Sequence, residues 1–255
     1  MPSAPPLPPV PPDPRLSLDV LTPAARAWLD EAVARVAVEP TAIRTLLPAA
    51  RRHCGRAPLD EHWSTDEAVR VILIRALPLR GTALADEVAG LYRHGDPAEQ
   101  RAVLRALPLL DGLAADGSHG DLALSLVREA LRANDPRVIE AALGPYAAVS
   151  LPQSEYRQAV LKCVFLGLPL DRVTGIDARA DHELARMLAD FAHERIAAGR
   201  TVPTDVWPLV RRFPDLADTL ATQARLLAPT RPEAVARALT ALGEGPAGTP
   251  SQEGV

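Results

Sequence analysis

Between Asp177 and Gly199 the sequence reads DARADHELARMLADFAHERIAAG, which concentrates two histidines and several charged residues in one helical stretch. At about 100° per residue, with His182 as origin, His193 falls near 20°, Arg186 near 40°, Asp190 near 80° and Glu194 near 120°. Leu184, Leu188 and Phe191 take the opposite side. Such a polar face has two readings. It lines a cleft and binds an anionic or hydroxylated ligand, or serves a small-molecule enzyme in which Asp190, His193 and Glu194 act as acid, base or metal ligands. Alternatively it is a solvated surface laced with ion pairs such as Arg186 with Asp190 at i,i+4. His182 and His193 stand about 16 Å apart along a helix and cannot share one metal ion. Asp190 and His193, three residues apart, supply at most two ligands, the rest having to come from another helix. His182-Glu183 lacks the second histidine of a zinc-protease motif, so no metal site and no cofactor is assigned.

Lys162 is the only lysine of the chain and sits among Val160, Leu161, Cys163, Val164 and Phe165. Buried, such an ammonium pairs with a carboxylate or loses its proton, the state a Schiff-base lysine uses. Otherwise its stem packs and its charge snorkels to water. The loop Asp111 to Asp121 has glycines, Ser118 and His119, but neither GK[ST] nor a preceding strand, and reads as an ordinary connection. His53, His62 and His94 are expected near helix ends, where a cation favours the helix dipole. Cys54 and Cys163 lack CxxC spacing and read as buried apolar residues in a reducing cytoplasm.

These residues need elements to position them, and composition points to helices. Of 255 residues, 47% are hydrophobic and only 4% aromatic, so the core is built of Leu, Ala and Val with few β-branched side chains. A formal charge of −4 gives no general affinity for nucleic acid or anionic membrane. The start of the chain, with eight prolines by Pro14 and no basic residue, fits neither region of a secretory signal. The longest apolar run, Val160 to Leu170, is about half a membrane span, reads as a central helix buried on nearly all sides, and gives no transmembrane segment.

Helix starts are marked at Thr22-Pro23, Ser64 with Glu67, Asp96-Pro97 with Glu99, Asp135-Pro136, Ser150 before Pro152, Asp177, and Thr230 with Glu233. Stops fall at Gly55, Gly95, Gly112, Asn134, Gly167, Gly199 and Gly243. Gly144-Pro145 interrupts a helix. The prediction is an all-α fold of about ten to twelve helices joined by short loops. Asp96-Pro97 with Ala102 and Leu104 is echoed by Asp135-Pro136 with Ala141 and Leu143. A period of about forty residues suggests stacked antiparallel helix pairs, HEAT-like or α-solenoid-like. A disordered Pro-rich tail is expected over 1–20, a helical domain over 21–243 and a flexible tail over 244–255.

The segment RQAVLKCVFLGLPLDRVTGIDARADHELARMLADFAHERIAAGRTVPTDVW at 157–207, with EALRANDPRVIEAALGPYA at 129–147, resembles the EboA domain family. The resemblance runs from about residue 20 to 215. It implies a bacterial protein of the Ebo gene cluster, whose other members resemble metal-dependent hydrolases, a prenyltransferase and sugar-type enzymes. That cluster is associated with processing or exporting secondary metabolites, including movement of a pigment precursor toward the periplasm. No catalytic residue is carried over. Lys162, Asp171, Asp177, Glu183, Arg186, Asp190, His193 and Glu194 are the polar positions where a family site would lie.

Two functions follow. The preferred one is a non-catalytic, cytoplasmic helical adaptor or small-molecule-binding protein of an Ebo-type pathway, whose partners are a metabolite or other proteins of the cluster. Its candidate ligand-binding residues are Lys162, His182, Arg186, Asp190, His193 and Glu194. The alternative is the enzyme outlined above.

Overall fold

Apolar positions recurring at helical spacing between Pro, Gly and capping residues fold as a succession of short helices. The computed structural model describes residues 18–61, 63–110 and 120–243. The Pro-rich start through residue 17, His62, loop residues 111–119 with Gly112, and the tail 244–255 lie outside the described residues. Among those described there are fourteen α-helices and no β-strand, only an isolated bridge between Pro58 and Ser64. The fold class is all-α. None of these helices is long and apolar enough to cross a membrane.

The helices separate into two packing units, divided between Leu151 and Pro152. The first contains α1 (Pro23–Val38), α2 (Ile43–Cys54), α3 (Thr65–Arg75), α4 (Gly81–His94), α5 (Pro97–Ala106), α6 (Gly120–Ala130), α7 (Pro136–Ala142) and α8 (Pro145–Ser150). Within it α5 packs against both α3 and α7, α2 against α1 and α3, and α4 against α5 and α6. Its core is aliphatic, with Val69, Leu73, Ile74, Val103, Leu126, Ile139 and Leu143 all buried. The caps follow from elementary hydrogen bonding. Thr22 Oγ1 accepts from the Ala25 amide at 3.2 Å. Asp96 accepts from the Glu99 amide while Glu99 accepts from that of Asp96, which satisfies amides that the first helical turn leaves free. Asp135 caps α7 through the Arg137 amide. The break expected at Gly144-Pro145 separates α7 from α8.

The second unit contains α9 (Gln153–Leu166), α10 (Ile176–Arg179), α11 (His182–Ala197), α12 (Val206–Arg211), α13 (Pro214–Leu226) and α14 (Pro232–Leu242). Here α11 packs on α12 and α13, and α13 on α14. Leu184, Leu188 and Phe191 of α11 are buried as the helical wheel requires.

Three expectations are corrected. The helix read from Asp177 to Gly199 is two elements, because Asp181 caps a new helix by accepting from the Leu184 amide at 3.0 Å. Short helices of four to six residues, α8, α10 and α12, raise the count above the expected twelve, since so few residues carry no periodic signal. The apolar stretch of α9 is not buried on nearly all sides either: Phe165 is 64% and Leu166 42% exposed. Apolar content alone does not say which flank meets a neighbour.

Candidate functional site

The α11 face is set out by one turn of helix after another, and Glu183, Arg186 and Asp190 on it are already paired. Arg186 donates to Glu183 at 2.8 and 2.9 Å and to Asp190 Oδ2 at 2.6 Å. Its guanidinium is held well above its ordinary range by the Glu183 hydrogen bonds first, with Asp190 adding to them. Arg186 is 47% and Asp190 66% exposed, so these pairs lie in water. His182, the first residue of α11, puts Nε2 2.8 Å from Asp215 Oδ2 and its ring edge-on to Phe213. That hydrogen bond lowers the Asp215 carboxyl below its usual value. Glu194 is exposed, His193 half-buried, and Lys162 half-buried on α9. The structure thus brings together Glu183, Arg186 and Asp190, and leaves His182 with a different partner on α13. No group of three or more His, Cys, Asp or Glu among the described residues is placed to hold a metal ion.

Behind the start of α11 is a better-built assembly. Asp181 accepts from Arg157 through both oxygens, from Gln153 Nε2 at 3.0 Å and from the Leu184 amide. Arg157 is the main cause that holds the Asp181 carboxyl far below the usual carboxylate range. Arg179 bonds to Gln153 and stacks over Tyr156, 4.1 Å from the ring centroid. The bonds from Arg157 and Gln153 converge on Asp181 and make the group a lock between α9 and α11.

Concave space occurs elsewhere. In the first unit, a cavity of about 330 Å³ lies between α2 and α4. Its floor is Leu47, Pro48, Gly90 and Leu91, and its rim is Arg44, Asp86, Glu87 and His94. Arg44 grips Glu87 through two hydrogen bonds, at 2.9 and 2.6 Å, a fork geometry that fixes both side chains at the mouth. Two glycines shape it. A Cβ at Gly95 would stand 2.6 Å from the Leu91 carbonyl oxygen, so only glycine fits the junction of α4 and α5. A Cβ at Gly90 would meet nothing within 4 Å, because that position faces the open space itself. A second, wider concavity of about 750 Å³ is bounded by the starts of α5 and α7 and by Arg51, Arg56, Arg101 and Arg137. In the second unit a smaller one of about 180 Å³ lies among Ile196, Val202, Trp207 and Ala238. None of the six residues singled out on α9 and α11 lines any of these three spaces.

Sequence reasoning missed a buried ionic cluster in the first unit. Glu67 of α3 accepts from Arg101 and from Arg105 of α5, and all three side chains are less than a tenth exposed. One turn on, Arg70 donates to Asp66 at 2.6 Å and to the Leu47 carbonyl at 3.1 Å. Arg105 also lies over Trp63, 4.7 Å from the ring centroid. Burial pulls the Arg105 guanidinium below its ordinary value, with Glu67 opposing. Two signals bore on this region: the Ser64–Glu67 capping spacing, which pointed to Glu67 as a cap only, and the Asp-Pro echo, both copies of which open helices at the wider concavity.

The comparisons with known proteins agree with the resemblance read from residues 129–207. No curated protein and no solved structure matches the chain. The sequence model of one family, described as metabolite traffic protein EboA, matches residues 22–211 and so takes in helices of both units. The chain belongs to the EboA family.

Proposed function

We propose that this chain is a non-catalytic helical adaptor that holds a small-molecule metabolite in the cavity between α2 and α4. It delivers that metabolite to other proteins of an Ebo-type bacterial pathway that processes or exports a secondary metabolite, and it works in the cytoplasm. The observation that carries the reading is the cavity: an apolar floor of Leu47, Pro48 and Leu91, a polar rim fixed by the Arg44–Glu87 fork, and a volume within the range of small-molecule sites. The family's description as metabolite traffic supports it.

Gly90 provides the test. It lies in the middle of α4 with space in front of its Cα, so Gly90→Leu adds bulk to the cavity and favours the helix at the same time. The protein is purified from its native host and small molecules retained by it are identified by mass spectrometry. The expected result is a retained metabolite that is lost in Gly90→Leu, together with co-purification of other proteins of the cluster. Retention that survives Gly90→Leu and disappears in an Arg186→Ala/His193→Ala variant would move the ligand to the α11 face. Recovery of neither a metabolite nor a cluster protein would sink the reading.

A further inference from the structure

We propose that the wider concavity of the first unit is an oxyanion site that takes the phosphate or pyrophosphate group of a small molecule. It is distinct from the apolar cavity and does not depend on the assignment made for that one. Four arginines from three stretches of chain face it: Arg51 of the last turn of α2, Arg56 just beyond, Arg101 of α5, and Arg137 of α7. Arg51, Arg56 and Arg137 are exposed, and their side chains form no hydrogen bond or ion pair with the described residues. This contrasts with the α11 face, where Arg186 is saturated by two carboxylates.

Arg101 is the decisive residue. Its side chain is only 7% exposed. Its Nε donates to Glu67, which fixes the plane of the guanidinium. Its two terminal nitrogens have no acceptor among the described residues, yet neither is an orphaned buried atom, so they reach the concavity that the residue lines. A buried guanidinium anchored on one edge and open on the other is an oriented donor pair that loses little freedom when an anion arrives.

The acids present define the ligand further. Asp96 and Asp135 also line the space, but their carboxylates are occupied by the amides of Ala98, Glu99 and Arg137. The helix starts therefore offer no free amide there, and recognition falls to the guanidiniums. Four positive against two negative side chains leave an excess that suits a multiply charged anion. A single carboxylate is satisfied by one guanidinium fork. A phosphate or pyrophosphate presents enough oxygens, in a tetrahedral arrangement, to engage several forks approaching from different helices.

The experiment is isothermal titration of the full chain with inorganic pyrophosphate at low ionic strength, with malonate as the carboxylate counterpart. The expected result is saturable binding of pyrophosphate that is tighter than that of malonate and weakens with added salt. In the Arg51→Ala/Arg137→Ala variant, binding is expected to weaken at least about tenfold, the scale of one lost charge-assisted hydrogen bond. Both residues are exposed and unpaired, so the variant keeps its fold, checked by circular dichroism. Arg211→Ala, an exposed arginine of α12, serves as control and is expected to bind as the parent does. No binding of pyrophosphate, equal binding by the double variant, or equal weakening by the control would each overturn the proposal. Malonate binding as tight as pyrophosphate would overturn the phosphate class.

Discussion

The same residue types, arginines facing carboxylates at helical spacing, occur in two settings with opposite consequences. On α11, Glu183, Arg186 and Asp190 form a row of short ion pairs in water, Arg186 being 47% exposed. Between α3 and α5, Glu67 is 4% exposed and is held by two arginines that reach it from 34 and 38 residues away. Coulomb attraction is strong only where water is excluded, and there the desolvation cost is also large. The exposed row therefore contributes little and tolerates loss. The buried cluster, once formed, commits α3 and α5 to one register, because any removal strands a charge.

The largest expected effect follows directly. Glu67→Gln keeps the shape of the side chain but leaves Arg101 and Arg105 buried without their counter-charge. It is expected to destabilise the protein by about 3–5 kcal/mol, read from the urea midpoint of unfolding. A change no larger than that of a surface substitution would mean that water reaches the cluster.

The field of the same cluster is expected to act on Cys54. Burial, and after it the Asp66 charge, pushes the Cys54 thiol up to about 11. At pH 8 its thiolate fraction, and with it the rate of alkylation by iodoacetamide, should be at least about a hundredfold below that of a thiol of ordinary pKa near 8.5. Mass-resolved alkylation kinetics distinguish it from Cys163, and alkylation of Cys54 at the rate of free cysteine would contradict the burial.

An intermediate effect is expected at Asp181, which is 37% exposed and combines an ion pair with a helix cap. Asp181→Ala should cost about 1–2 kcal/mol, the scale of a lost N-cap. Its folded carboxyl lies below the unfolded value, chiefly through Arg157, so its contribution is present above the unfolded pKa near 3.9 and is lost as pH falls toward the folded value. The difference in thermal midpoint between the parent and Asp181→Asn should therefore begin to narrow below about pH 4 and keep narrowing as pH falls toward the folded value. A gap that does not narrow with falling pH would assign the cap a role independent of charge.

How much of this was legible in the sequence differs along the chain for a physical reason. Thr22, Asp96 and Asp135 were readable as helix starts because a cap oxygen and the amides that donate to it lie within one turn. Gly167 and Gly243 were readable as stops because left-handed backbone favours glycine. The i,i+4 pair of Arg186 and Asp190 was likewise local. The division at Ala180 was missed although the Asp181 cap is just as local, because Asp177 to Ala180 contain no glycine or proline to mark a break. Glu67 was legible only as the capping partner of Ser64, and Arg101 and Arg105 carried no motif, since only the packing of α3 on α5 brings the three together. The candidate cavities share that fate: Arg44, Gly90, Arg51 and Arg137 carry no motif, and their convergence belongs to tertiary structure alone.

The smallest effect completes the contrast. Arg186→Ala removes three hydrogen bonds and two ion pairs, as many as Glu67 makes, yet Glu183 and Asp190 are left facing solvent and are rehydrated at once. The side-chain entropy regained offsets much of what is lost. The thermal midpoint is expected to move by no more than about 2 °C, and less in high salt, where the pairs are screened. A larger shift would mean that water does not freely reach this face, as in the cleft reading of α11. The metabolite-retention test would then be repeated with Arg186 and His193 as its first targets.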